Sequence, residues 1–212
     1  MLLSVYAQWR VSATFAKFSQ IPSRLGITGA DAAQRILAGA GLHDVTIEPI
    51  AGQLSDHYDP GARTLRLSEA VYGDTSIAAI SVAAHEAGHA LQHADAYPLL
   101  GLRTLTVPMA NLGSTLMWPI LLVGMFIHLM PLALNIAIVL YLGVVAFTLV
   151  TLPVEFNASH RALGILQHSG LLAEEEMPGA RSVLSAAALT YVAATVSAIL
   201  TLLRLLLLRG RN

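Results

Sequence analysis

The sequence predicts a mostly α-helical integral membrane protein. A polar segment with one chemically loaded helix and a small β-hairpin or sheet is fused to a bundle of about three transmembrane helices. Three observations carry this prediction. Only 12% of the 212 residues are charged, about half of the roughly 25% usual in a soluble domain. Between Arg103 and Glu155 there is no Asp, Glu, Lys or Arg, a run long enough for two spans of about 20 residues each. Nearly all the polar chemistry falls between Ser19 and Arg103.

The elements follow in chain order. Residues 1–18 are apolar but carry Gln8, Arg10 and Lys17; they read as an interfacial or partial membrane helix without signal-peptide design. Residues 19–104 form the water-facing segment. Thr28 and Asp31, three apart, mark a helix start that runs to Gly41. Val45 to Glu48 alternates as a short strand, and Leu54–Asp59 and Thr64–Leu67 flank a Pro60-Gly61 turn as a strand pair. An Ala-rich helix covers about 76–92. Residues 105–152 read as a transmembrane hairpin broken near Pro131, and 153–182 as a new helical stretch (Glu155 to Gln167) and a loop. Residues 183–208 form the third span, closed by arginines. The glutamates at 174–176 read as a solvated loop.

Composition excludes several classes. A net charge of -1 leaves no basic footprint for nucleic acid. With no cysteine, a thiolate nucleophile or cysteine-ligated metal is impossible, so any metal must be held by His, Asp or Glu. A transporter would want ionisable groups inside its spans, and these have almost none.

The Ala-rich helix carries His85-Glu86-Ala87-Gly88-His89. Histidines four apart share one helix face, one turn above the other, so both can grip a single zinc ion. That leaves room for a third protein ligand and a water. Glu86, on the adjoining flank, can take a proton from that water and pass it to a leaving amine. Gly88 would weaken a helix interior by up to ~1 kcal/mol, which points to close packing there. This pattern is the signature of zinc-dependent peptide hydrolysis.

Three residues compete as third ligand. Asp95 follows His89 by six, but the sharp turn it needs would want Gly where Gln92 stands. His93 lies too far along the helix axis to share the tetrahedron. Glu155 stands directly after the second apolar run, where a carboxylate is costly unless paired or metal-bound; it is the favoured ligand. Leu54–Asp59 is the candidate sheet edge for a substrate strand. His57 and Tyr58 on it, and His160 and Arg161 one turn beyond Glu155, are candidate oxyanion donors, the last two equally readable as solvating a membrane-edge helix. For Asp56 and Asp59, shaping the turn is an equal reading.

The run from Ser76 through His93 resembles the bacterial membrane zinc peptidases typified by YugP. So do Leu54–Pro60 with Arg63–Ser68, Pro153–Ser159, and the Ala-rich stretch 187–194. The resemblance implies a zincin-like, gluzincin-like peptidase of the bacterial inner membrane, with His85, His89 and Glu155 as zinc ligands and Glu86 as catalytic base. The chain is more distantly similar to the HtpX type of membrane peptidase, which has Asp four residues after the ligand Glu. Here that position is Ser159, so no carboxylate supports the metal ligands from there.

The expected function is a zinc-dependent endopeptidase, one Zn2+ per chain, cutting peptides or membrane proteins near the bilayer surface. The alternative is a non-catalytic, zinc-stabilised membrane partner or assembly factor, against which the intact Glu86 argues. The lipid bilayer and a peptide are the expected partners. Basic residues at 17, 24, 103, 161 and 181 against an uncharged hairpin tip predict a cytoplasmic catalytic face, with Arg209 and Arg211 pulling the other way.

Overall fold

The computed structural model describes residues 2–210. It is mostly helical, with a small mixed sheet and three helices long and apolar enough to cross a membrane, as the sequence predicts. The chain forms two compact units. One contains Val5–Tyr97 and Glu155–Thr190; the other contains the start of α1, Pro98–Val154 and the chain from Tyr191 onward.

The first unit holds most of α1 (Leu2–Phe18), then α2 (Gly29–Gly39), β1 (Thr46–Ile50), β2 (His57–Asp59), β3 (Thr64–Ser68), the short α3 (Glu69–Tyr72) and α4 (Ile77–Ala94). Helix α2 starts where Thr28 and Asp31 close a capping box. Thr28 Oγ1 accepts from Asp31 N at 3.1 Å, and Asp31 Oδ2 accepts from Thr28 N at 3.0 Å. Two orphan donors are thereby satisfied. Ala32, Ala33, Ile36 and Leu37 make the buried stripe of α2, which packs on α4.

The sheet order is β1-β3-β2. β2 and β3 pair antiparallel, the strand pair the sequence signals, while β1 joins β3 in parallel. Leu65 and Leu67 on the central strand are fully buried in the core shared with α2 and α4. Asp59 accepts from the Gly61 and Ala62 amides and from Arg66, and the Arg66 bond holds its carboxyl below the usual range. Asp56 accepts from Ser68 N at 2.7 Å and from its hydroxyl. Both aspartates therefore serve the turn and its return strand.

The glutamate run differs from its sequence reading. Glu174 and Glu175 are exposed, and Glu175 pairs with Arg24. Glu176 is buried, accepting from Arg24 N and Ala173 N at 2.8 and 2.7 Å; a loop whose amides need an internal acceptor recruits it.

In the second unit, α5 (Pro98–Phe126) and α6 (Met130–Ser169) form a hairpin whose turn includes His128 at φ 57. α7 (Met177–Arg209) contributes its second half. Met117, Leu134, Ala137, Ile138 and Leu205 form its core. A Cβ on Gly113 would lie 2.4 Å from Leu140 O, so the glycine lets the α5 and α6 backbones meet, as small residues do between membrane helices. Thr195 on α7 donates to Thr148 O on α6 at 3.3 Å. The sequence reading starts a new helix at Glu155, but α6 runs unbroken through Pro153. Proline removes one backbone donor, and an apolar helix within a bundle tolerates that loss.

Candidate metal centre

Helix α4 builds the centre. Ser76 caps it, its Oγ accepting from Ala79 N at 3.2 Å. Ala78, Ala79, Ala83, Ala84 and Ala87 are fully buried, so the helix is enclosed by protein along most of its length. His85 and His89 lie one turn apart, their ring centroids 4.8 Å apart and nearly perpendicular. Glu86 between them is buried too.

Gly88 sets the approach of the opposing helix. A Cβ there would sit 2.8 Å from the backbone oxygen of Ala158, closer than any side chain allows. The close packing expected at this glycine is therefore present, and its partner is α6, one turn from Glu155. At that approach Glu155 Oε2 stands 3.2 Å from His85 Nε2 and 3.4 Å from His89 Nε2. The three residues are buried, and their ligand atoms all fall within 4.8 Å of one another. Three ligands of a tetrahedral zinc at about 2.0–2.1 Å stand about 3.3–3.4 Å from each other, so this set has the spacing and the N, N, O donors that zinc takes.

Both imidazoles are held from behind. Ser159 Oγ lies 3.1 Å from His85 Nδ1, and Gln92 Oε1 lies 2.9 Å from His89 Nδ1. Such outer partners orient metal-binding histidines. Burial alone would lower the His89 pKa, but hydrogen bonding to Glu155 and the charge of Glu86 outweigh it and raise it above the ordinary histidine range.

The other candidates lie outside this cluster. Asp95 caps α4 and pairs with Arg161. His93 Nδ1 meets the Tyr58 hydroxyl at 2.9 Å. His57 is exposed, its Nδ1 2.8 Å from Ser55 O, and His160 is exposed on α6. β2, which carries His57 and Tyr58, is an edge strand in contact with α4. Sequence reasoning weighed Gln92 only against a turn and Ser159 only for a missing carboxylate, and it gave neither these nor Asn157 a supporting role. A polar residue three after His89 or four after Glu155 was the available signal, since those spacings share a helix face.

The family model described as "Putative neutral zinc metallopeptidase" matches residues 1–210. The chain belongs to that family. The protein named "Putative membrane protease YugP", from Bacillus subtilis (strain 168), is 47% identical over 212 residues, which cover 99% of this chain and 94% of that relative. No solved structure matches. Membership of a zinc metallopeptidase family implies a peptide substrate and a zinc ion, and the buried His-His-Glu cluster is where this member can hold one.

Proposed function

We propose that this protein is a membrane-embedded zinc-dependent endopeptidase that hydrolyses peptide bonds of peptides or membrane proteins near the bilayer surface. The observation that carries the reading is the buried cluster of His85, His89 and Glu155 with Glu86 in the same helical turn. In this reading those three residues hold one zinc per chain. When bound, zinc supplies Lewis acidity that polarises the scissile carbonyl and acidifies the attacking water. Glu86 removes the proton from that water and delivers it to the leaving amine. The edge strand β2 offers its free backbone groups to an extended peptide. Of the candidate oxyanion donors, His57 and His160 have exposed rings, whereas the Tyr58 hydroxyl is shared with His93.

The decisive experiment pairs zinc analysis with a cleavage assay on purified Glu86→Gln. Zinc content and fold should persist while turnover falls by roughly 10²–10⁴-fold, the range for a removed general base. Undiminished turnover in Glu86→Gln would remove the base. An inactive wild type with tightly held zinc would favour the non-catalytic partner instead.

The three apolar helices and the name of the Bacillus relative support a membrane location. We place the protein in the bacterial inner membrane with its catalytic face in the cytoplasm. The hairpin tip near His128 to Pro131 has no basic residue, while Lys17, Arg24, Arg103, Arg161 and Arg181 lie outside the apolar run 105–152, as the positive-inside rule requires of a cytoplasmic face. A periplasm-dependent reporter fused near Gly170 should stay silent; a strong signal reverses the orientation.

A further inference from the structure

The two imidazoles of the centre are held by partners of different kinds. His85 Nδ1 faces the Ser159 hydroxyl, which can donate or accept and so leaves the tautomer open. His89 Nδ1 faces an amide oxygen, that of Gln92, at 2.9 Å. An amide can be turned either way round unless something outside it sets its direction.

That something lies two residues further out. A guanidinium has donors only, and Arg161 Nε donates to Asn157 Oδ1 at 2.8 Å. Asn157 must therefore present its oxygen to this side. The same oxygen stands 2.9 Å from Gln92 Nε2, so Gln92 must present its amino group there and its carbonyl to His89. One proton of His89 is thereby assigned to Nδ1, which leaves Nε2 as the nitrogen turned toward Glu155 Oε2, 3.4 Å away. Gln92 is fully buried, so water does not reach in to reverse the order. At the outer end, Asp95 pairs with Arg161 and holds the guanidinium in line.

We propose that Arg161 is a positioning residue for the metal centre: acting through Asn157 and Gln92, it fixes the His89 tautomer that offers Nε2 to zinc. This rests on the reading of His85, His89 and Glu155 as the metal ligands. It gives Asp95 a place in the site without making it a ligand, and it gives the serine at 159 and the glutamine at 92 unequal tasks.

The test uses the full chain in detergent, with Arg161→Leu, Asn157→Leu and Asn157→Asp. Aspartate presents acceptors to both Gln92 and Arg161, so it preserves the direction of the chain; leucine abolishes it. Two measurements are made: zinc affinity by competition with a chromogenic chelator, and the 15N shifts of histidine in metal-free labelled protein at a pH high enough to leave His89 neutral, which report the tautomer. Arg161→Leu and Asn157→Leu should lose about 10–100-fold in zinc affinity, the usual effect of removing outer-shell support, and should lose the Nδ1–H form of His89. Asn157→Asp should keep both. Wild-type affinity and tautomer in Arg161→Leu overturns the proposal. So does a loss in Asn157→Asp as large as that in Asn157→Leu, which would assign the effect to packing. If Asn157→Leu does not fold, Arg161→Met beside Asn157→Asp carries the same comparison. His89→Ala separates the two layers of argument: stoichiometric zinc in that variant refutes the ligand reading, while the tautomer readout still decides the chain from Arg161.

Discussion

Helices α4 and α5 are both apolar, yet they are built for different surroundings. The buried apolar positions of α4 are mostly alanine, and protein encloses it along most of its length. α5 carries large side chains that its own chain leaves uncovered: Leu105 is 73% exposed, Trp118 63% and Phe126 71%. A soluble protein would not leave so much apolar surface in water. Small residues on α4 bring backbone close and make room for a polar centre; the large residues on α5 suit an apolar surrounding such as lipid. Each helix uses glycine to bring a backbone oxygen close, Gly88 against Ala158 O and Gly113 against Leu140 O. What differs is the cargo of that approach, a buried polar cluster in the first unit and a helix pair in the second.

The sharpest way to break this contrast is to remove the polar cargo. His85→Ala and His89→Ala should each abolish stoichiometric zinc, and Glu155→Ala should cut occupancy far more than Asp95→Ala. Metal analysis of the purified variants checks the ranking. If Asp95→Ala were the more damaging, the helix-end carboxylate and not the one on α6 would complete the set. Zinc retention should also weaken as pH falls through the histidine range, because the metal needs the neutral imidazole. The elevated His89 pKa makes proton competition begin at higher pH than for an ordinary histidine.

The next largest effect concerns the two glycines. Gly88→Ala forces a Cβ against backbone, and overpacking of this kind destabilises by about 1–3 kcal/mol. It should also lower zinc affinity, since the displaced contact lies one turn from Glu155. Gly113→Ala meets a still closer backbone oxygen and should lower the unfolding temperature in detergent while leaving zinc affinity unchanged. Equal zinc loss in both variants would show that the two approaches are not independent.

The legible and illegible parts of the sequence divide along a physical line. The histidine pair was legible because its spacing is a property of one helix. Glu155 was legible because a lone carboxylate ends a run with no other charge, and Thr28 with Asp31 because a capping box is local. What escaped depends on which helices or strands meet. The parallel pairing of β1 with β3 joins strands separated by β2, and nothing local signals it. Gln92, Asn157 and Arg161 acquire their tasks only when α4 and α6 come together, and Glu176 acquires its own only when the Ser23-Arg24 segment folds back over it. Helix continuity through Pro153 likewise turns on packing, because proline alone argues for a break.

The smallest expected effect tests whether the first unit is governed by water at its surface. Thr28→Ala removes the side chain that accepts from Asp31 N, and loss of such a cap typically costs about 1 kcal/mol. Asp31 completes the box. Hydrogen bonds from the Thr28 amide and hydroxyl hold its carboxyl below the usual range. A folded-state pKa that is depressed adds stability above the unfolded pKa, near 3.9 for Asp, and that stability is lost as pH falls through the folded value. The gap in unfolding temperature between wild type and Asp31→Ala should therefore be present at neutral pH and shrink once the pH falls below roughly 4. Because the pair is exposed, the ionic part of the gap should be modest and decrease with added salt. A gap that stayed constant down to pH 3 would mean that Asp31 acts through helix propensity alone, and that the box contributes nothing through charge.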